Sequence, residues 1–209
     1  MEEFWNDRYK SEQFAYGEAP NHFFKETIIK LKLKGNLLLP AEGEGRNAVY
    51  AAKRNLNVTA YDISVEGKLK ANKLAKKNNV EIDYKVGDLN KHNFKEASFD
   101  AIGLIYAHFS KNKQEIYKQL IKLLKPNGYL ILEGFSVDNL SYREKNPKIG
   151  GPSNIDALYS IEEMKSTFKD FEIIQLEQVE TELSEGEYHN GIASVIRYVG
   201  KKLALDKHI

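Results

Sequence analysis

A glycine-containing turn near the start of the chain has residue types and a spacing that suit ligand binding. The segment 37–52, LLLPAEGEGRNAVYAA, is typical of a strand, a turn with Gly43 and Gly45, and a helix. In an open α/β sheet, ligands bind outside the carboxyl ends of the strands. Glycine lets the backbone approach a ligand there, and a helix N-terminus offers free N–H groups. The spacing of Gly43, Gly45 and Ala48 matches the nucleotide-binding pattern G-x-G-x-x-G/A. The pattern predicts a nucleotide site or, alternatively, only a tight strand-to-helix turn.

Two aspartates follow the next two predicted strands. Asp62 ends VTAYD, where a carboxylate can accept hydrogen bonds from both ribose hydroxyls of an adenosine, in a nicotinamide cofactor or in S-adenosylmethionine. Its alternative role is to cap the next helix. Asp88 follows the third strand in VGDL. A carboxylate there can accept from the exocyclic amine of adenine, as in S-adenosylmethionine enzymes, or can simply form a turn. With the glycine turn, the two acids favour an adenosine site.

The elements that must position these residues alternate between strand and helix. Such alternation predicts a Rossmann-like, doubly wound α/β fold with a mostly parallel sheet of seven strands. Two final β-like stretches have no helix between them, so we expect them to form an antiparallel hairpin at the edge of the sheet. The predicted strands are 36–41, 58–62, 82–86, 99–106, 129–135, 171–179 and 192–198, and the helices are 23–33, 47–55, 65–78, 113–124 and 161–168.

Two details of the helices follow from local sequence. In 65–78, Leu69 and Leu74 are expected to face inward and the many lysines outward. The sequence Lys-Pro-Asn-Gly at 125–128 predicts the end of helix 113–124, since Pro126 cannot continue a helix and Gly128 tolerates a positive φ.

Composition narrows the class of protein. The 209 residues suit a single domain, with 1–35 as an arm and helix placed over the ligand site. The 31 basic and 30 acidic side chains leave a net charge of +1, which gives no field that attracts nucleic acid or an anionic membrane. The chain has no cysteine, and its five histidines lack ligand spacing, so we expect no metal site. The charged N-terminus lacks an apolar signal, which predicts a cytoplasmic protein, as a monomer or homodimer.

Taken together, the motifs resemble the class I S-adenosylmethionine-dependent methyltransferases over nearly the whole chain. The pieces that carry this resemblance are AEGEGRNAVYAA, AYDIS, VGDLN, SFDAIGLIYAHF and LLKPNGYLILEGF. Three further pieces, WNDRYKSEQFAYGEAPNHFF at 5–24, LEGFS at 132–136 and GGPSNIDAL at 150–158, resemble a small family of tellurite-resistance and thiol methyltransferases. The resemblance implies S-adenosyl-L-methionine as cofactor and methyl transfer as the reaction.

The resemblance also implies roles for individual residues. The glycine turn, 41–45, would hold the methionine moiety, Asp62 the ribose and Asp88 the adenine. Arg8 would reach the cofactor carboxylate from an aromatic N-terminal arm that closes over the site; the alternative is that Trp5 and Phe14 of this arm merely pack on the sheet. The predicted cofactor-binding residues are Arg8, Ala41, Glu42, Gly43, Gly45, Asn47, Asp62, Ile63, Asp88, Leu89 and Tyr106.

The glycine turn departs from the family pattern in two places. Many class I enzymes carry an acidic residue two positions before the first glycine, where this chain has Leu39, and that first glycine is Ala41 here. Our hypothesis is that Glu42 or Glu44 supplies the missing carboxylate for the ammonium group of the cofactor.

The fourth strand brings a histidine to the same edge of the sheet. Methyl transfer from a sulfonium requires alignment and exclusion of water, and an acceptor with a proton can also require a base. His108, in IYAHF, is the candidate for substrate contact or proton removal, and its alternative role is to bridge loop backbone. His189 is expected to be a surface or loop residue. The predicted acceptor pocket consists of Tyr16, Phe135 and Tyr142, near the loop 150–152.

The fourth strand lacks the Asp/Asn-Pro-Pro-aromatic sequence with which base-amine methyltransferases hold their nucleophile. This favours a small-molecule acceptor: a thiol, a chalcogen oxyanion or a metabolite hydroxyl.

Two other functions remain open at this point. A nicotinamide-dependent, NAD(P) oxidoreductase would also use Gly43, Gly45 and Asp62, and its Tyr-x-x-x-Lys pair would be Tyr198 and Lys202, on or after the last strand instead of on a helix. The second alternative is a non-catalytic protein that has kept the fold and binds the cofactor.

Overall fold

A computed structural model describes residues 1–109 and 112–204, and these form a mixed seven-stranded sheet with helices on both faces. The strand order is β3-β2-β1-β4-β5-β7-β6. The predicted fold class is confirmed, including the antiparallel pair at the edge. The strands are β1 Asn36–Pro40, β2 Asn57–Asp62, β3 Asp83–Val86, β4 Phe99–Ile105, β5 Leu124–Phe135, β6 Phe171–Glu185 and β7 His189–Lys202.

Seven α-helices accompany the strands in the described part of the chain. Each of the predicted helices is present, with ends that differ by up to three residues. Two short helices, the first and the sixth, had not been predicted. The helices are α1 Glu2–Tyr9, α2 His22–Lys30, α3 Arg46–Lys53, α4 Val65–Lys77, α5 Lys113–Leu123, α6 Asn139–Lys145 and α7 Ile161–Thr167.

The central strands are apolar throughout because helices cover both faces of the sheet. In β1, Leu37 and Leu39 pack with Phe24 of α2 on one face. Leu38 packs on the other face with a cluster that includes Leu120 of α5. Each of these leucines is fully buried. The short, continuous apolar runs of the sequence therefore correspond to buried parallel strands.

The last strand lies between β5 and β6 and runs antiparallel to both. Phe135, at the carboxyl end of β5, is paired with Val195 of β7, and Glu185 at the end of β6 is paired with His189. The turn that joins β6 to β7 therefore lies at the same edge as the carboxyl ends of β4 and β5. This topology brings residues from the end of the sequence to the edge where the glycine turn lies.

The hairpin is longer than the sequence indicated. The segment SEGEYHNG at 184–191 had been assigned to a turn, yet only 186–188 form it. The expectation that His189 is a surface or loop residue is wrong, because it begins β7 and is buried. Strands of an antiparallel hairpin tolerate alternate polar residues, so polarity here did not indicate a loop.

One local prediction about the helices is wrong, and a second is confirmed with a difference in detail: α5 ends at Leu123, before Lys-Pro-Asn-Gly. Leu74 is buried in α4, but Leu69 is 57% exposed because the inward-facing stripe runs through Gly67, Ala71 and Leu74. After α5, the residue with positive φ is Asn127, at 63°, and not Gly128. Asparagine is among the few residues other than glycine that adopt this conformation readily.

Candidate active site at the carboxyl edge of the sheet

The glycine turn has a left-handed backbone at every second residue. Ala41, Gly43 and Gly45 have φ values of 52°, 61° and 84°. A Cβ on Gly45 would lie 2.9 Å from the Cα of Ala71, so glycine there allows α3 and α4 to pack closely. Ala41 adopts the conformation that glycine takes in related turns, at a conformational cost that an L-residue with a Cβ must bear.

Asp62 connects the glycine turn to the start of α4. Its Oδ2 accepts a hydrogen bond from the Gly43 N–H at 3.0 Å, and its Oδ1 accepts from the Ser64 N–H at 2.9 Å. Ser64, and not Asp62, caps α4, because the Ser64 hydroxyl accepts from the Gly67 N–H. Burial raises the pKa of Asp62, while the backbone hydrogen bonds oppose this. The carboxylate is therefore held rigidly at the end of β2.

The end of β3 lies next to this carboxylate. The Gly87 N–H donates to the Asp62 carbonyl at 2.8 Å, and Asp88 follows with an exposed side chain. Ile63 is half-buried and Leu89 is buried. The structure thus brings the glycine turn and the predicted residues after β2 and β3 to the ends of three adjacent strands.

Glu42 occupies the N-terminus of α3. Its Oε1 accepts hydrogen bonds from the N–H groups of Asn47 and Ala48, at 2.8 and 2.7 Å, and its Oε2 accepts from Asn47 Nδ2. Burial raises the pKa of Glu42 to about 7, although these hydrogen bonds oppose the shift. The expectation of free N–H groups at this helix end is therefore wrong, because an internal carboxyl group already binds two of them.

Glu44 attaches the N-terminal arm to the glycine turn. Its two oxygens accept from the N–H groups of Ala15 and Tyr16, at 3.1 and 3.3 Å. Lys70 of α4 donates to Glu44 Oε1 at 2.6 Å and to the Gln13 carbonyl at 2.5 Å. Both charged side chains are largely buried. Like Glu42, Glu44 already has protein donors.

Helix α1 lies against the loop that follows β2. Asn6 Oδ1 accepts a hydrogen bond from the Ser64 hydroxyl at 2.7 Å. Tyr9 is buried over Gly43, where a glycine Cβ would lie 2.7 Å from the Tyr9 hydroxyl. Trp5 stacks on Tyr9, with ring centroids 5.5 Å apart. The first helix thus covers the glycine turn directly.

Arg8, Phe14 and Tyr16 of the arm contact aromatic or charged groups. Arg8 donates to the Tyr16 hydroxyl at 2.9 Å and lies over the Tyr188 ring at 3.8 Å. Phe14 packs against residues of α3 and α4 and beneath the Lys70 ammonium group. Trp5 and Phe14 therefore do not pack on the sheet.

An aromatic cluster lies at the carboxyl ends of β4 and β5. His189 has ring centroids 4.5 Å from both Tyr16 and Tyr106, and 5.2 Å from Phe135. Tyr106 has a positive φ of 53°, an uncommon conformation for an aromatic residue and one that occurs at functional sites. Tyr142 packs against the hydrophobic group that includes Phe135, and its hydroxyl donates a hydrogen bond to Glu180 of β6. We name Tyr16, Tyr106, Phe135 and His189 the aromatic cluster.

His108 bridges two loops through both ring nitrogens. Its Nδ1 lies 2.8 Å from the Ala157 carbonyl, which must accept, and its Nε2 accepts from the Phe135 N–H at 3.2 Å. Burial lowers the pKa of His108 to about 3. This geometry agrees with the alternative in which His108 bridges backbone groups. The catalytic role of His108 stays a prediction.

Buried ion pairs that the sequence did not indicate support the aromatic cluster. Glu133 of β5 accepts from Asn21 Nδ2, the Tyr106 hydroxyl and Arg197 Nε, at 2.6, 3.1 and 2.6 Å. Glu185 accepts from Arg46 and lies 3.1 Å from His189 Nδ1. Asn21 and Arg197 lie 112 and 64 positions from Glu133, and Arg46 lies 139 positions from Glu185, so no local spacing could have revealed these three contacts.

Comparison with known proteins identifies the class of enzyme. Residues 38–132 match the model of a family described as a methyltransferase domain. This segment runs from β1 into β5 and includes the glycine turn and both aspartates. No curated protein matches the chain.

Solved structures share the fold at low sequence identity. One of them was solved in work on the conversion of a disulfide bond into a thioacetal group during echinomycin biosynthesis. It is 15% identical to this chain, with a TM-score of 0.77, and the match covers 99% of this chain and 94% of that one. TehB from Haemophilus influenzae is 19% identical, with a TM-score of 0.69 and coverage of 96% and 66%. A SAM-dependent methyltransferase from Methanosarcina mazei is 20% identical, with a TM-score of 0.65 and coverage of 84% and 97%.

The match to the methyltransferase-domain family covers under half of the chain, and the enzyme is a methyltransferase with S-adenosylmethionine as its cofactor. The positions of Tyr198 and Lys202 also argue against a nicotinamide-dependent oxidoreductase. Tyr198 and Lys202 lie on β7, and Lys202 donates to the carbonyls of Ile121 and Leu124 near the start of β5. Lys202 is thus at the opposite end of the sheet from Gly43, and Tyr198 is paired with Leu132 within β5.

The residues at the carboxyl edge fit an adenosyl group chemically. A ribose requires hydrogen-bond acceptors and an adenine amine requires another, and the carboxylates of Asp62 and exposed Asp88 are groups of this kind. The rings of Tyr61 and His92 lie close together, with centroids 5.4 Å apart. Tyr61 Oη and His92 Nε2 are buried and have no hydrogen-bond partner in the described part of the chain. The negative charge of Asp88 acts on Tyr61, so the two lie close together. Unpaired polar atoms beside Asp88 suit a polar ligand.

Two further features are absent from residues 1–109 and 112–204. No group of three or more His, Asp or Glu side chains there is arranged to hold a metal ion. Within the same two ranges, no helix is both long and apolar enough to cross a bilayer.

Proposed function

We propose that this enzyme transfers the methyl group of S-adenosylmethionine to a small molecule that carries a thiol. The observation behind this proposal is the aromatic cluster: a mostly apolar surface at the carboxyl ends of β4 and β5, enclosed by the N-terminal arm and the β6–β7 turn. Such an enclosure suits a small acceptor better than a macromolecule.

In this proposal the cofactor lies along the ends of β1, β2 and β3. Asp62 accepts the ribose hydroxyls, Asp88 accepts the adenine amine, and Gly43 allows close approach of the methionine part. The remaining predicted contacts are made by Ile63 and Leu89 near the adenosine and by Tyr106, Asn47 and Arg8 toward the methionine part. Ala41 shapes the turn, and Glu42 acts by capping α3. When bound, the cofactor supplies an activated methyl group; the chain aligns the acceptor and excludes water.

The arm, residues 1–35, belongs to the same domain and closes over the cofactor. Tyr9 covers Gly43, and Glu44 and Lys70 hold residues 13–16 in place. Because this closure buries the turn, we infer that the arm opens to admit the cofactor and closes before transfer.

Charge distribution favours a thiol over a chalcogen oxyanion. The arginines nearest the aromatic cluster already have partners: Arg8 with Tyr16 and Tyr188, Arg46 with Glu185, and Arg197 with Glu133. An oxyanion would compete with buried carboxylates for Arg46 and Arg197, whereas a thiol requires no cation. Two structural neighbours, the echinomycin-related protein and TehB, are consistent with the small family that the sequence resembles.

Binding and transfer should be tested separately. Calorimetry with S-adenosylhomocysteine should show at least about tenfold weaker binding for Asp62→Ala, because charge-assisted hydrogen bonds to the ribose are lost. The matched control is Asp83→Ala, an exposed aspartate on the adjacent strand β3. Transfer of a labelled methyl group should then be measured to thiols, selenite, tellurite and a metabolite extract. Transfer to selenite or tellurite but to no thiol would overturn the thiol assignment.

A further inference from the structure

His189 and Glu185 form a buried pair beside the aromatic cluster. Glu185 closes β6, His189 opens β7, and Nδ1 of the imidazole lies 3.1 Å from Oε2 of the carboxylate. Burial alone would raise the pKa of Glu185, but hydrogen bonds from His189 and Arg46 lower this pKa to about 2. An ionised carboxylate only accepts hydrogen bonds, so Nδ1 carries the proton and donates it.

This pairing leaves Nε2 of His189 as the basic nitrogen. Nε2 has no hydrogen-bond partner among the residues that the structure describes. Gly150 lies beside this edge of the ring, where a glycine Cβ would be 3.1 Å from Cδ2 and 3.6 Å from Nε2. His108 differs, because backbone groups engage both of its nitrogens.

The surroundings of His189 keep it uncharged. Burial lowers its pKa, and the hydrogen bond and charge of Glu185 oppose this. The positive charges of Arg46 of α3 and Arg8 of α1 also lower the pKa of His189. His108 lies close enough to interact with the His189 ring. The other ionisable groups that face the ring are the hydroxyls of Tyr16 and Tyr106. A neutral imidazole is ready to take a proton at neutral pH.

We propose that His189, oriented by Glu185, is the general base that removes the proton of the acceptor thiol; this inference rests on the proposed function. The thiol S–H proton passes to Nε2 as the sulfur attacks the methyl carbon. The carbon–sulfonium bond breaks with its electron pair going to the cofactor sulfur, which gives the methyl thioether and S-adenosylhomocysteine. The imidazolium that forms is balanced by the Glu185 carboxylate.

The test compares two thiol acceptors of different acidity. An alkyl thiol is protonated at pH 7 and requires a base, whereas an acidic aryl thiol is largely ionised and does not. We expect His189→Gln to lower kcat for the alkyl thiol by about 100-fold or more and for the aryl thiol by only a few fold. The affinity for S-adenosylhomocysteine should stay within about twofold, since the cofactor contacts are retained. His22→Gln, on the exposed face of α2, is the control.

Equal losses for both thiols would show that His189 is structural and would overturn the inference. Absence of wild-type transfer to either thiol would instead overturn the proposed function, so the two failures are distinguishable.

A measurement on the wild-type enzyme covers the case in which His189→Gln does not fold. With a general base, kcat/KM for the alkyl thiol should be nearly constant from about pH 7 to 8.5. If only the free thiolate reacts, kcat/KM should rise about tenfold per pH unit in this range, and that result would overturn the inference.

Discussion

Ala41 holds a left-handed conformation at a position where related turns carry glycine. Strain in an L-residue at such a φ costs about 1–2 kcal/mol, and the greater freedom of glycine in the unfolded chain offsets part of this. We expect Ala41→Gly to raise the free energy of unfolding by about 0.5–1 kcal/mol, measured by urea denaturation.

Ala48→Gly, in α3, provides the contrasting control because its backbone is helical. It should lower the free energy of unfolding by about 1 kcal/mol. A loss of stability in both variants would show that the methyl group of Ala41 contributes more by packing than it costs in strain.

Glu42 gives the fold a dependence on pH. Its pKa in the folded protein is about 7, against 4.5 for an ordinary glutamate. The folded state therefore binds the proton more tightly, and this stabilisation is present below about pH 4.5 and is lost as pH rises through about 7. Relative to Glu42→Gln, the wild-type protein should lose on the order of 2–3 kcal/mol of unfolding free energy between about pH 5 and 8.

Urea denaturation across this pH range measures the difference. Glu81→Gln replaces an exposed carboxylate and should run parallel to the wild type. If unfolding free energy varied with pH in Glu42→Gln as it does in the wild type, the hydrogen bonds to Glu42 would be sufficient to keep its carboxylate charged in the folded protein.

Local spacing was sufficient to predict which candidate residues lie together at one edge of the sheet in some cases and insufficient in others. Gly43, Asp62 and Asp88 could be predicted because each follows a strand, and parallel strands end at one edge. Glu133 and Glu185 were not found, because their partners come from distant parts of the chain and meet only in the folded sheet. The sequence equally gave no indication that Glu42 would cap α3.

At the scale of elements, one buried ion pair secures the N-terminal arm. Lys70 of α4 bonds to Glu44 and to the carbonyl of Gln13. Lys70→Met would leave the Glu44 carboxylate buried without its cation, which typically costs about 3–5 kcal/mol. We expect local opening of the arm, seen as at least about tenfold faster hydrogen exchange at the amides of Ala15 and Tyr16.

Lys77→Met is the matched control for this experiment. Lys77 also joins α4 to the arm, through Glu18, but both side chains are largely exposed. An exposed pair contributes about 0–1 kcal/mol, so exchange at Ala15 and Tyr16 should hardly change. Equal acceleration in both variants would mean that surface pairs, and not Glu44, hold the arm.

Elements differed in how well the sequence indicated them. Strand β1, strand β4 and the second half of β5 are largely apolar because both faces are buried, and this pattern is recognisable without tertiary information. Helix α1, by contrast, has exposed charged residues and only one buried side chain, Tyr9. Its position depends on contacts with α4 that are formed by folding, so its own pattern did not predict a helix.

At the scale of the whole molecule, charge should have little influence on the reaction. The net charge is +1, with basic and acidic side chains nearly equal in number. For a neutral thiol acceptor we therefore expect kcat/KM to change by less than about twofold between roughly 50 and 300 mM salt. A steep decline with salt would instead indicate an anionic acceptor drawn by a local positive surface.

The position of β7 has a consequence for synthesis on the ribosome. Because this strand inserts between β5 and β6, a nascent chain that stops after β6 leaves β5 paired on its β4 side only and β6 with no partner strand, so the strand edges that β7 later covers are exposed. Residues 189–202 must emerge before those edges are covered, and they carry the imidazole that we propose as the general base and the arginine that pairs with Glu133. Translation of the last strand therefore marks the moment at which the polypeptide gains both protection from aggregation and the capacity to react.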